Sequence, residues 1–295
     1  MFNKHPKGLI AAALANLGER FGFYTMMAIL VLFLQAKFGM NGKEAGFIYS
    51  TFYFSIYILA LVGGIIADKT RNYKGTIFTG IVLMAVGYLL LAIPSKTPVD
   101  NKMLYLVITC ASLFVIAFGN GLFKGNLQAL VGQMYDNPQY ANMRDSGFSL
   151  FYMFINIGAI FAPFAAVGVR NWWLSTFGYN YDADLPALCH GQLAGTLSPE
   201  ATETYHTLVT KASTAPVQDY TAFASDYLNV FTTGFHYAFG VAIIAMAISL
   251  TIYWLNKKNF PDPSKKTVAS SASSTVVEMS AQEVKQRMYA LFAVF

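Results

Sequence analysis

Three charged side chains stand inside long apolar runs of this sequence: Glu19, Arg20 and Lys124. At the centre of a bilayer an ionisable group costs ~2.5–3.5 kcal/mol by insertion scales, so such residues mark substrate or ion pathways. Counted from Gly8, Glu19 and Arg20 lie roughly 17 Å along the first run, and Lys124 lies roughly 15 Å back from Met134 in the fourth. An acid and an ammonium at one depth in a low dielectric are expected to pair, which makes Glu19 and Lys124 the anticipated ion pair. Arg20 is then left without an internal acid, and a free guanidinium suits two-pronged capture of a carboxylate or phosphate. The alternative is a local Glu19–Arg20 pair, with Lys124 reaching toward the headgroups.

Polar side chains surround these charges. Tyr24 is one turn beyond Arg20 and Asn16 one turn before it, both on its face. Tyr57 in the second run, and Tyr152 and Asn156 one turn apart in the fifth, fall at middle depth. Gly119, Gly121 and Gly125 flank Lys124 and permit close helix contact. Asp68 and Lys69 begin a charged loop after the second run, where they can clasp helix ends or simply anchor topology.

The elements that must hold these residues are spanning helices. The chain has 295 residues, 55% hydrophobic, 16% aromatic and only 12% charged, which is a polytopic membrane composition. Apolar segments at 8–36, 47–67, 75–94, 103–134, 148–169 and 233–255 are each long enough to cross about 30 Å of hydrocarbon. With the N-terminus placed in the cytoplasm, the basic residues divide twelve inside against six outside, as the positive-inside rule asks. The net charge of +5 then reflects loops facing anionic lipid and calls for no nucleic-acid partner. The signal-like start with Lys4 and Lys7 continues past Arg20 to Ala36, so it reads as a spanning helix.

The expected organisation is a six-helix bundle over 1–255, with a long outer connection at 171–232. That connection contains one helix opening at Ser198-Pro199-Glu200 and a second candidate at 218–231. A polar linker follows at 256–286, and a seventh span starts within 287–295. The chain therefore reads as the first half of a two-bundle protein. Cys110 and Cys189 lie in different surroundings and suggest no disulfide. The sequence has no HExxH, CxxC or GxxxxGK[ST] pattern, and its four histidines are scattered, so nothing supports an enzyme.

Four segments resemble one family. Glu19-Arg20-Phe21-Gly22-Phe23-Tyr24 is similar to the ExxERFxYY motif of the proton-dependent oligopeptide transporters (POT/PTR2) of the major facilitator superfamily. Gly121-Leu122-Phe123-Lys124-Gly125-Asn126 resembles GLFKPN, Phe151-Tyr152 through Asn156-Ile157-Gly158 resembles FYxxINxG, and Gly63 to Asp68 resembles GGxxAD. The resemblance implies an all-α N-terminal bundle that pairs with a second six-helix bundle. It also implies import of di- or tripeptides with protons as coupling ion, no other cofactor, and residence in a bacterial inner (plasma) membrane. By position it makes Arg20, Tyr24, Tyr57, Lys124, Tyr152 and Asn156 the peptide site and Glu19–Lys124 the coupling pair. Asn16 stands where the family has its first glutamate, and an amide cannot titrate. Gly125 replaces a proline, and no helical hairpin is expected between the bundles. The remaining alternatives are a transporter of another small anionic or peptide-like solute, and a peptide sensor without coupled transport.

Overall fold

A computed structural model describes residues 4–261 and residue 286 of the chain. Six long helices carry the fold: α1 (Gly8–Phe38), α2 (Gly42–Thr70), α3 (Tyr73–Ala92), α4 (Lys102–Met134), α5 (Arg144–Thr176) and α8 (Tyr220–Asn256). Two short helices, α6 (Leu185–Ala194) and α7 (Pro199–Ala212), lie between α5 and α8. All six long helices are long and apolar enough to cross a membrane.

Local chemistry sets the helix ends. Asn41 accepts from the amides of Lys43 and Glu44 while Glu44 bonds back to Asn41, a closed capping box that starts α2. Asn72, Asn101 and Asp219 cap α3, α4 and α8 through their side-chain oxygens. Gly39 closes α1 in the left-handed region with φ 60°. The expected start at Ser198 is present, with Ser198 accepting from Ala201 and Pro199 in the first turn.

α1 is the most buried span; α8 and α5 pack along it, while α4 packs on α3 and α2. The α2–α4 crossing is tight because two glycines meet. A Cβ on Gly63 would sit 2.2 Å from the Gly121 carbonyl oxygen, and one on Gly121 would sit 2.5 Å from the Leu59 backbone. Asn126 stitches the crossing by donating to the carbonyls of Gly63 and Leu122. Gly121→Val is therefore expected to cost about 1–3 kcal/mol by forcing the helices apart, read as a lower Tm of the detergent-solubilised protein. Gly125→Ala, with nothing within 4 Å of its Cβ, is the control and should not lower Tm.

Two expectations need correction. The candidate helix at 218–231 is not part of a loop: it is the first third of α8, which runs unbroken through the polar Thr232 and Thr233. The long connection thus shortens to 177–219. Tyr179 and Tyr181 fold back onto Phe223, Tyr227 and Phe231 of α8, which explains the aromatic side of that segment. Second, Lys37 and Arg170, two of the six basic residues counted on the outside, lie within α1 and α5 and are buried. Lys37 donates to the Ser95 and Lys96 carbonyls and to Thr97, and Arg170 stacks 3.6 Å over the Tyr181 ring.

The short α6 is docked on α1: His190 Nε2 donates to the Ala36 carbonyl at 2.8 Å. Burial holds the His190 imidazole below its ordinary pKa, so it is neutral near pH 7. Past Asn256 the chain makes a short turn and buries Phe260 against Tyr253. Apart from its first residues and residue 286, the linker expected at 256–286 lies outside the described residues, as does the start of a seventh span at 287–295.

Candidate charge cluster

Helices α1, α2, α3 and α4 converge at the level of Glu19. Its side chain is fully buried, and Arg20 is nearly so. Arg20 Nε donates to Glu19 Oε2 at 2.5 Å and its Nη2 to Oε1 at 2.6 Å, a two-pronged pair between neighbours in sequence. From α4, Asn120 Nδ2 donates to Glu19 Oε1 at 2.7 Å. The Arg20 guanidinium also lies over the Phe23 ring, 4.7 Å from its centroid, and reaches toward Tyr24.

This arrangement corrects the anticipated pairing. Glu19 is held by Arg20 and Asn120, and Lys124 has no carboxylate within 4 Å among the described residues. Arg20 accordingly is not the free guanidinium of the sequence reading. The physical reason is reach. Neighbouring helix positions point about 100° apart, yet an arginine stem is long enough to fold back. In a dry interior two opposite charges gain more from direct contact than from separate burial.

Lys124 does not reach for the headgroups either. Its amine lies over the Tyr57 ring, 5.7 Å from the centroid, within electrostatic range of Arg20, Glu19 and Tyr53. It is half-buried, whereas Tyr57 is exposed. Tyr57 donates to Tyr53 at 3.1 Å, and Tyr49 stacks parallel to Tyr53, so three phenols one turn apart line α2. Tyr53 went unnoticed in the sequence, although its position one turn before Tyr57 was a usable signal. Asn120 was also missed; an amide in an apolar span, one turn before Lys124, could have pointed to it.

Tyr152 and Asn156 lie exposed on α5, with Tyr152 against the rings of Phe148 and Phe151. They do not touch the charge cluster. α5 nonetheless crosses α1 beside it: a Cβ on Gly158 would lie 2.9 Å from the Leu17 carbonyl oxygen and 3.6 Å from Arg20 Cβ. At the end of α2, Asp68 accepts from the Tyr73 hydroxyl, and its carbonyl accepts from Arg71, whose φ of 51° turns the chain into α3. Lys69 is exposed beside it. Among the described residues no group of three or more His, Cys, Asp or Glu could hold a metal.

The profile of the POT family matches residues 74–293. The chain belongs to the POT family. Relatives of this POT-family chain include the peptide transporter YePEPT of Yersinia enterocolitica, 34% identical over 185 residues, covering 61% of this chain and 34% of that protein. Another is the dipeptide and tripeptide permease A of Enterobacter sp. (strain 638), 34% identical over 179 residues, with 60% and 32% covered. The chain spans about a third of the length of these curated relatives. Among solved structures, a mutant peptide transporter POT in complex with sulfate matches with a TM-score of 0.57 and 25% identity, covering 98% of this chain and 44% of that one. Tetrameric PepTSo2 matches with a TM-score of 0.61 at 22% identity, over 97% and 47% of the two chains, which is a likeness of fold. The expected class is thereby met: an integral membrane protein, all-α, with the helical fold of a major facilitator half.

Proposed function

We propose that this chain forms the N-terminal half of a transporter that imports di- and tripeptides by alternating access, coupled to protons. The observation that carries the reading is the cluster of one acid and two cations around Glu19 and Lys124, bordered by Tyr24, Tyr53 and Tyr57. A zwitterionic peptide requires a cationic partner for its carboxylate, and no carboxylate among the described residues pairs with Lys124. Protonation of Glu19 would remove the charge that holds Arg20 and release the guanidinium toward the same carboxylate. Tyr152 and Asn156, at the α1–α5 crossing, would line the peptide beyond it, and Asp68 and Lys69 would influence which end of the bundle opens.

The exposed apolar faces of α2 and α5, including Phe47, Phe54, Leu61, Ile160 and Phe164, support docking of a second six-helix bundle. The basic excess on the N-terminal side supports a cytoplasmic N-terminus, and the bacterial sources of the relatives support placement in a bacterial inner membrane. The test is peptide-driven proton flux in liposomes holding the full-length protein; no flux with any dipeptide would overturn the reading.

Asn16 favours a second reading, peptide sensing or transport with weakened coupling. It is buried on α1, one turn before Arg20, and carries no titratable group. Asn16→Glu is therefore expected to steepen the dependence of uptake on external acidity. An unchanged pH profile would remove this position from coupling.

A further inference from the structure

Two polar atoms beside Glu19 are buried with no partner among the described residues: Asn120 Oδ1 and the Tyr88 hydroxyl. Both side chains are fully buried. Leaving an acceptor dry and unpaired is costly, and such groups are rare in folded proteins. Asn120 is also the one side chain that ties α4 directly to the Glu19 carboxylate, through Nδ2.

An amide has a donor end and an acceptor end. An ionised carboxylate can only accept, and Nδ2 serves it. A protonated carboxyl carries an O–H that must donate, and the only free acceptor on its α4 neighbour is Oδ1. We propose that Asn120 is the positioning residue that lets Glu19 hold and release a proton inside the bundle, its amide donating to the carboxylate and, turned about its last torsion, accepting from the acid. This deepens the transport reading and rests on it. The proton is taken up from and returned to solvent, and nothing else is consumed. The Tyr88 hydroxyl, which lies within electrostatic range of both Glu19 and Arg20, is the other unoccupied donor and acceptor available while the amide turns.

The titratable groups around the Glu19–Arg20 pair come from four helices: Tyr24 on α1 and Tyr53 on α2 toward Arg20, and Tyr88 on α3 and Lys124 on α4 toward both members of the pair. α5 and α8 meet this level of α1 through Gly158, Ala245 and Ser249, none of which titrates. Asn120 is thus the one uncharged, non-titrating side chain with a hydrogen bond to Glu19 among the described residues, and the one able to change the sense of that bond without changing its own charge.

The sign of its effect follows from the strengths involved. The bond to the carboxylate is charge-assisted and stronger than the neutral bond to the acid. Removing the amide therefore favours the acid. The test is an infrared titration of the full-length protein, with the Glu19 band assigned as the one lost in Glu19→Gln. In Asn120→Leu the titration midpoint is expected to rise by about one pH unit or more, and the acid C=O band to move to higher frequency as its hydrogen bond is lost. Asn120→Ala, which cannot clash, gives the same reading should the leucine variant misfold. An unchanged midpoint and band in both variants overturns the proposal, as does a Glu19 that stays ionised throughout in wild type and variants alike. Because the band reports the carboxyl directly, a preparation that moves no peptide still decides this point. Peptide uptake by the wild-type protein tests the transport reading separately.

Discussion

Arg20→Ala is expected to destabilise the full-length protein by about 3–5 kcal/mol and to abolish peptide uptake. The substitution removes both hydrogen bonds that Arg20 makes to Glu19 and leaves a fully buried carboxylate held by Asn120 alone. Breaking a buried pair from one side costs that much because the remaining charge stays desolvated. Removing both charges is a different matter. Glu19→Leu with Arg20→Met restores apolar volume and leaves no charge behind, so stability should return to within about 1 kcal/mol of wild type. Uptake should stay absent in the double variant, since the acid and the guanidinium are both gone. Unfolding of Glu19→Leu, Arg20→Met and the double variant, each against wild type, measures the coupling. A cost below about 1 kcal/mol for Arg20→Ala would show that the pair is hydrated or readily replaced, and would remove it from the coupling scheme.

The spans were legible in the sequence because each apolar run is long and carries few charges, and the start of α7 was legible because Ser198-Pro199-Glu200 marks it. The beginning of α8 was not legible. Its first third is polar on one side and receives α6, Tyr179 and Tyr181, so hydropathy alone placed it in the connection. The site was half legible. Depth along the helices placed Lys124 close to Glu19 and Arg20, and it lies within electrostatic range of both. Depth could not say which turn of α4 meets α1. The chain puts Asn120, one turn or about 5.4 Å away, against the acid, and leaves Lys124 beside Tyr57. That axial offset is fixed by where α4 can approach its neighbours, at glycines such as Gly121, and packing of that kind is not written in the charges.

The same offset separates two roles that the sequence had merged, and it yields the sharpest contrast between variants. Lys124 contributes no ion pair among the described residues and is only half-buried, so its loss should hardly disturb the fold. Lys124→Gln is expected to leave stability within about 0.5 kcal/mol of wild type. Peptide uptake should nevertheless fall at least ~100-fold, the rate equivalent of about 2.7 kcal/mol. The ammonium is proposed to meet the peptide carboxylate at a site partly removed from water, where a lost charge partner is worth several times what it is worth in solution. Arg20→Ala should lose stability and transport together; Lys124→Gln should lose transport alone. Tm and initial uptake rates of the two proteins, measured side by side, test the contrast. Near-normal uptake in Lys124→Gln would mean that the carboxylate finds its cation elsewhere, with Arg20 the remaining candidate in this half. A drop in Tm as large as that of Arg20→Ala would instead mean that Lys124 serves the fold, and that the cluster is a single structural unit.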